Sequence, residues 1–167
     1  MAGFNLKQFE NIRTFIFDVD GVMTDGRLYL LDGKQPTRRM NIRDGYALQL
    51  AIKKGYHIII ISGGSSPEVL ARLNTLGIKE VYLGIRDKVD KLEDLKLEHD
   101  LDLENTLYMG DDMPDYEVMQ LVGMPTCPDN AAPEIINISK YISPVKGGNG
   151  CVRDVIEKVL KIRGDWR

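Results

Sequence analysis

Acidic residues crowd the end of the first apolar run of this chain. The segment FIFDVDGVMTDG, residues 15–26, places Asp18 and Asp20 directly after a stretch that is typical of a buried strand, and Asp25 follows. Like charges at this spacing repel one another, and burial adds a desolvation cost. These acids therefore either share a cation or are turn residues in water, and the rest of the chain decides between the two interpretations.

Three further polar stretches stand at the ends of apolar runs or at the start of a helical pattern. The segment Ser62-Gly63-Gly64 follows HIIII, Asp111 and Asp112 follow TLYMG, and Lys88 begins a helical pattern. Carboxylate oxygens without a nearby His or Cys favour a hard divalent cation such as Mg²⁺ over zinc. The acids are therefore predicted to share Mg²⁺, provided that the fold brings these stretches together.

The elements that must position these residues alternate between strand and helix patterns. Such alternation predicts a parallel sheet with helices on both faces, and ligands bind such sheets at the carboxyl ends of the strands. Asp44 and Ser66 are the expected caps of the first two helices. The predicted strands cover 14–19, 57–62, 80–84, 106–111, 124–127 and 141–143, and the predicted helices cover 44–55, 66–77, 88–99, 114–122 and 151–161.

Length and composition are those of a single globular domain spanning 1–167. Of the 167 residues 43% are apolar and 28% are charged, and the net charge of −3 argues against binding nucleic acid or a membrane surface by bulk charge. The chain shows no signal-peptide pattern and no apolar run near the ~18 residues of a membrane helix. Cys127 and Cys151 lie far apart, which fits a reducing cytoplasm.

Taken together and in order, four motifs resemble those of the haloacid dehalogenase superfamily of phosphotransferases: DVDGVMTDG, IISGG, the lysine of GIRDK, and GDDMPD. The resemblance implies a Rossmann-like three-layer α/β sandwich and an aspartyl-phosphate mechanism. A carboxylate attacks an anionic phosphate poorly unless a cation screens the repulsion, so Mg²⁺ is the implied cofactor. The implied roles are nucleophile for Asp18, general acid and base for Asp20, phosphate binding for Ser62, Gly63 and Lys88, metal binding for Asp18, Asp20 (through its carbonyl) and Asp111, and orientation of the metal's waters or partners for Asp112 and Asp115.

Some of these roles have structural alternatives. Lys91 lies one turn after Lys88 on the same predicted helix and competes for its role. Asp115 could instead be a first-turn acid that the helix dipole favours. An isolated Asp-x-Asp pair is more often a turn or a cap, and only the other three motifs favour catalysis at Asp18 and Asp20.

The spacing of the motifs leaves no room for a cap domain. About two dozen residues separate Asp20 from Asp44, and a similar number separates Ser62 from Lys88. The first gap instead predicts a β-hairpin insertion at 27–42 that turns at Asp32-Gly33. A two-stranded ribbon that exposes leucines is unstable in water alone, so we expect a second copy of the chain to cover it and to close the neighbouring site.

The hairpin, together with NIRDGYAL and GGNGCVRDVIE, is similar to the capless 3-deoxy-D-manno-octulosonate 8-phosphate phosphatases. That subfamily implies a magnesium-dependent homotetramer that releases an eight-carbon acidic sugar of lipopolysaccharide from its phosphate. Arg43 is then a candidate for binding the sugar carboxylate, or else a surface arginine beside Asp44. The glycines at 147–150, with Arg153, either serve a neighbouring subunit's site or begin the last helix.

Two other functions stay open at this stage. Gly64 stands where relatives often carry a larger polar residue, which leaves a phosphatase for a nine-carbon sialic-type 9-phosphate as an alternative. A degenerate oligomerisation or regulatory module is the other alternative, against which the intact set of motif residues argues.

Overall fold

The computed structural model describes residues 5–167, and in that part of the chain six parallel strands form one sheet. Their order is β3-β2-β1-β4-β5-β6, the doubly wound arrangement in which the chain returns to the sheet centre after β3. The carboxyl end of β1 is therefore the switch point where a ligand crevice forms. The strands are β1 (Thr14–Phe17), β2 (His57–Ile61), β3 (Glu80–Tyr82), β4 (Thr106–Met109), β5 (Met124–Cys127) and β6 (Tyr141–Ile142).

Helices cover both faces of this sheet. Phe15 and Phe17 of β1 point to one face and Ile16 to the other, so each face has its own apolar core. The first core packs against α1, α2 and α6, and the second against α3, α4 and α5, which confirms the predicted three-layer architecture. The helices are α1 (Ile42–Lys53), α2 (Pro67–Thr75), α3 (Lys88–His99), α4 (Tyr116–Met119), α5 (Pro133–Ile138) and α6 (Cys151–Arg163).

The predicted elements are present, with differences at their ends. The structure has α3 at the predicted bounds, and Ser66 caps α2 by accepting the N–H of Val69 at 3.3 Å. The helix expected over 114–122 is instead a 3₁₀ turn, Met113–Asp115, followed by the single turn of α4. The short helix α5 was not predicted. None of the helices in residues 5–167 has the length and apolarity needed to cross a bilayer.

The expectation that Asp44 caps its own helix is wrong. Asn41 caps α1, because its side chain accepts the N–H of Arg43 at 2.8 Å and the helix begins at Ile42. Asp44 is buried in the first turn and accepts the N–H of Arg153 at 2.8 Å. It thus caps α6, whose own N-cap residue, Gly150, has no side chain to do so.

Residues 24–40 form an open hairpin. Tyr29 and Thr37 exchange both backbone hydrogen bonds, at 3.0 and 3.1 Å, and Thr24 pairs with Met40. The turn lies at the predicted Asp32-Gly33, where Gly33 has a φ of 65°. The described hairpin residues form isolated bridges rather than regular strands, and the side chain of Leu30 at its tip is left 78% exposed.

Candidate active site

A cleft of about 300 Å³ lies at the carboxyl ends of β1, β2 and β4. It brings together eight of the nine residues that the sequence singles out, from four separate segments of the chain. Arg43 is the exception, because it is exposed on α1 and does not line this cleft. The predicted residues in the cleft are Asp18, Asp20, Ser62, Gly63, Lys88, Asp111, Asp112 and Asp115.

The loop after β1 places Asp18 at the bottom of the cleft. The Oδ1 atom of Asp18 accepts the N–H of Val19 at 2.7 Å, which fixes the rotation of the carboxylate. The chain then turns at Gly21, whose φ is 84° and whose added Cβ would lie only 1.9 Å from Asp111 Oδ2. Only glycine fits there, because the backbone after Asp18 passes directly against the carboxylate that ends β4.

The glycine run at 147–150 supports this same loop from behind. Gly148 donates its N–H to the carbonyl of Val22 at 3.0 Å. A Cβ on Gly147 would lie 1.8 Å from the carbonyl oxygen of Gly21, so the two backbones are in direct contact. The run therefore packs against the loop of the same chain that carries Asp18 and Asp20, and it also leads into α6.

Lys88 links the nucleophile candidate to Asp115. Its Nζ atom lies 3.1 Å from Asp18 Oδ1 and 2.7 Å from Asp115 Oδ1. Asp115 is fully buried and also accepts the hydroxyl of Tyr108 at 2.8 Å and the N–H of Asp111 at 3.2 Å. Asp115 lies in the first turn of the 3₁₀ segment Met113–Asp115, and its buried carboxylate holds both Lys88 and the end of β4 in place.

The neighbouring lysine of α3 does not reach the cleft. Lys91 Nζ lies over the ring of Tyr82, 3.8 Å from its centroid, in a cation–π contact. Lys88 is the first residue of α3, and its side chain is 3% exposed. The structure therefore places Lys88, and not Lys91, beside Asp18.

The buried carboxylates repel one another strongly. Burial, followed by the charge of Asp115, raises the pKa of Asp18 to about 7 even though Lys88 acts against the shift. Burial and the charges of Asp18, Asp115 and Asp112 raise the pKa of Asp111 to about 8. One ammonium does not balance this many carboxylates at neutral pH, so the cleft favours an additional cation.

The donor set fits a hard divalent cation. Asp18, Asp111 and Asp115 offer carboxylate oxygens that lie within 4.8 Å of one another. Both oxygens of Asp115 already accept hydrogen bonds within the protein. The residues with oxygens available to a cation are therefore Asp18 and Asp111, and oxygen-only ligands favour Mg²⁺.

The remaining polar residues line the walls of the cleft. Ser62 follows β2 and is buried, and the N–H of Gly64 donates to its hydroxyl at 3.3 Å. Asp112 is exposed at the rim, where its carboxylate caps the next turn by accepting the N–H of Met113 at 2.8 Å. Ser62 thus places a hydroxyl in the cleft that also holds Asp18, and one oxygen of Asp112 caps the turn at the rim of that cleft.

Sequence reasoning missed two residues of the site. Tyr108, on β4, is fully buried and donates its hydroxyl hydrogen to Asp115. No motif indicates Tyr108, because it lies within a run of apolar strand residues. Arg38, on the hairpin, forms a two-point ion pair with Asp20 at 2.6 and 3.1 Å. A basic residue in a loop carries no local signal of such a partner.

Comparison with known proteins identifies relatives of similar sequence. Residues 77–155 match the haloacid dehalogenase-like hydrolase family. The 3-deoxy-D-manno-octulosonate 8-phosphate phosphatase KdsC of Escherichia coli K12 is 36% identical over 155 residues, which cover 93% of this chain and 82% of that protein. The enzyme of the same name from Yersinia pestis is 35% identical over a stretch of the same length.

Solved structures agree with the sequence relatives. A 3-deoxy-D-manno-octulosonate 8-phosphate phosphatase from Yersinia pestis superposes with a TM-score of 0.94 at 33% identity, covering 99% of this chain and 90% of that one. The phosphatase of the same name from Moraxella catarrhalis, solved with magnesium, phosphate and KDO, gives 0.92 at 32% identity, covering 96% and 92%. The similarity thus extends over almost the whole chain in both sequence and structure.

Proposed function

This chain belongs to the haloacid dehalogenase-like hydrolases, and we propose that it is a magnesium-dependent phosphatase that hydrolyses 3-deoxy-D-manno-octulosonate 8-phosphate to the free sugar acid and phosphate. The observation that carries the reaction class is the buried Asp18 carboxylate, held by Lys88 in one cleft with Asp20 and Asp111. The curated relatives, similar over 93% of the chain, support the choice of sugar.

In the first half of the reaction, a carboxylate oxygen of Asp18 attacks phosphorus. The new bond to Asp18 forms as the bond between phosphorus and the sugar oxygen breaks, which leaves an aspartyl-phosphate. Asp20 donates a proton to the departing alkoxide, a contribution of about 10²–10⁴-fold in rate for a poor leaving group. Lys88, the Ser62 hydroxyl and the Gly63 amide stabilise the charge on the phosphoryl oxygens.

In the second half, water attacks the phosphorus of the aspartyl-phosphate. Asp20, now ionised, accepts a proton from that water, and the bond between phosphorus and Asp18 breaks. Phosphate leaves, and both carboxyl groups return to their starting states. Asp115 keeps Lys88 in place through both steps, because the two are joined by a buried hydrogen bond of 2.7 Å.

Asp18, Asp111 and the backbone carbonyl of Asp20 would hold the metal. When bound, Mg²⁺ neutralises the carboxylate charge that otherwise repels the anionic phosphate. Asp115 supports this set from behind by fixing the backbone of Asp111. Asp112, at the rim, would bond to a water of the metal through Oδ2, because its Oδ1 already accepts the N–H of Met113.

The assembly that we propose is a cytoplasmic homotetramer in which neighbouring copies close each site. Leu28, Leu30 and Leu31 are about half exposed or more on the hairpin, and no cap domain in the described chain covers them. Exposed apolar side chains on a weakly paired hairpin are stabilised by contact with another subunit. Arg43 lies outside the cleft of its own subunit, so a role toward the sugar acid requires the cleft of a neighbour.

The test is a comparison of phosphate release from three substrates. We expect the eight-carbon 8-phosphate to be hydrolysed with a higher kcat/KM than a nine-carbon sialic-type 9-phosphate or p-nitrophenyl phosphate, with activity lost in EDTA and restored by Mg²⁺. A preference for the nine-carbon substrate would replace the sugar assignment. Absence of release from every substrate with Mg²⁺ present would favour a non-catalytic module.

A further inference from the structure

The only hydrogen bonds to the Asp20 carboxylate within residues 5–167 come from Arg38. Arg38 Nε lies 2.6 Å from Oδ1, and Nη2 lies 3.1 Å from Oδ2. A guanidinium that contacts both oxygens fixes the plane of a carboxylate as well as its position. When Oδ2 carries the proton that the general acid donates, the shorter bond from Nε to Oδ1 still holds that plane. The side chain of Arg38 is 12% exposed and that of Asp20 is 38% exposed, so the guanidinium is shielded from water while the carboxylate stays open to the cleft.

The hairpin fixes the position of Arg38. The preceding residue, Thr37, exchanges both backbone hydrogen bonds with Tyr29, and Met40 pairs with Thr24 beside the catalytic loop. Arg38 therefore lies between two residues of the return segment, Thr37 and Met40, that are each paired with the outgoing segment. The orientation of the general-acid candidate thus depends on the return segment of the hairpin, which lies outside the four motifs.

Gly64 leaves the space that this pair occupies. A Cβ added at Gly64 would lie 2.8 Å from Asp20 Oδ2 and 3.2 Å from Arg38 Nη2. Gly64 is not among the glycines with positive φ, so its backbone conformation is open to other residues. The need for glycine at this position is therefore one of space beside the Asp20–Arg38 pair.

We propose that Arg38 is a positioning residue for Asp20, and that Gly64 is glycine because any side chain there would push the pair apart. The inference rests on the proposed role of Asp20 as general acid. It assigns the hairpin a part in the chemistry of its own subunit, in addition to any contact with a neighbour. It also explains Gly64 without reference to the sugar.

The experiment measures release of the leaving group in the first turnover, with enzyme in excess, so that later hydrolysis of the aspartyl-phosphate does not contribute. Arg38→Gln should slow release from the sugar phosphate about 10²-fold, the order expected for a misplaced catalytic group. Release from p-nitrophenyl phosphate should change by less than about threefold, because a phenolate leaves without a proton. Arg38→Lys should recover part of the loss, since it keeps the charge but not the two-point geometry.

Gly64→Ala tests the second half of the inference. As in Arg38→Gln, it should slow release from the sugar phosphate much more than release from p-nitrophenyl phosphate. Arg39→Gln is the matched control, because Arg39 lies in the same segment but is 62% exposed and pairs with Asp25 at 3.3 Å. It should leave both rates unchanged. Thermal unfolding of each variant checks that the fold is kept.

Three outcomes would overturn the inference: equal losses on both substrates in Arg38→Gln, no loss in that variant, or the same split in Arg39→Gln. Asp20→Asn, measured in parallel, separates this failure from failure of the proposed mechanism. If Asp20→Asn shows the split and Arg38→Gln does not, only the role of Arg38 is wrong. If Asp20→Asn loses equally on both substrates, the general-acid role itself fails.

Discussion

Asp44 is the clearest case in which a buried charge should control stability. Its side chain is almost fully buried between α1 and α6, with Oδ1 accepting the N–H of Arg153 and Oδ2 buried without a hydrogen-bond partner. Burial raises the pKa of Asp44 from 3.8 to about 6, although the hydrogen bond from Arg153 acts against the shift. Ionised Asp44 therefore destabilises the folded state relative to its protonated form.

The sign and size of the effect follow from linkage. Because the folded-state pKa is raised, protonated Asp44 contributes stability that is fully present below pH 3.8 and is lost as the pH rises through about 6. The difference between pKa values of 3.8 and about 6 corresponds to about 3 kcal/mol of unfolding free energy, of which about 2 kcal/mol is lost between pH 4 and pH 7. Asp44→Asn is neutral throughout and lacks this loss.

The assay is urea unfolding of wild type and variant at several pH values, in EDTA to keep metal binding out of the result. The free energy of unfolding of Asp44→Asn, minus that of wild type, should rise by about 2 kcal/mol from pH 4 to pH 7. Other raised carboxylates are present in both proteins and cancel in the difference. Asp44→Ala, which also lacks the charge but cannot bond to Arg153, should show the same change with pH from a lower starting value. A difference that stays constant with pH would refute the reasoning.

Three further predictions concern the site and the assembly. Asp18→Asn should abolish turnover of both sugar and aryl phosphates, because the amide keeps the size of the carboxylate but is not a nucleophile. Circular dichroism should show an intact fold. Retained turnover would exclude the covalent mechanism. Mg²⁺ affinity should weaken by about 10²-fold or more as the pH falls from 8 to 6, because Asp18 and Asp111, with pKa values of about 7 and 8, must lose protons to bind the ion. Calorimetry in two buffers should detect the released protons. An affinity independent of pH would contradict this prediction. Replacing Leu28 and Leu30 by Lys should dissociate the oligomer in sedimentation and reduce sugar-phosphate activity more than aryl-phosphate activity; a wild type that is already monomeric would contradict the shared site.

The order of the elements and the edge that carries the site could be predicted from sequence. Three of the apolar runs end close to Asp18, Ser62 or Asp111, and the carboxyl ends of parallel strands meet at one edge of a sheet. Asp18, Ser62 and Asp111 therefore arrive in one cleft by strand direction alone. Helix bounds were predictable where a local signal exists, as with Ser66 at the start of α2. The order of the elements and the start of such a helix depend on residues that are close together in the chain, so the sequence contains this information directly.

Other features were decided by contacts between residues far apart in the chain. Asp44 reads as the cap of its own helix, yet it caps α6, where its partner Arg153 lies 109 residues later. Asp115 was predicted to orient the partners of the metal or else to be a first-turn acid, and neither prediction identified its buried bond to Lys88, 27 residues earlier. A carboxylate bonds to whichever donor the packed elements bring to it, and local pattern holds no information about that choice.

The pairing of Asp20 with Arg38 shows the same limit at the catalytic centre. The sequence supplied the acid and a hairpin rich in basic residues, and it gave no reason to join Asp20 to Arg38 rather than to Arg39. Only the tertiary structure places Gly64 beside the pair and leaves room for it. Local patterns determined which residues end the strands of this protein, whereas the packing of the hairpin and helices against those ends decided which partners each charged side chain has.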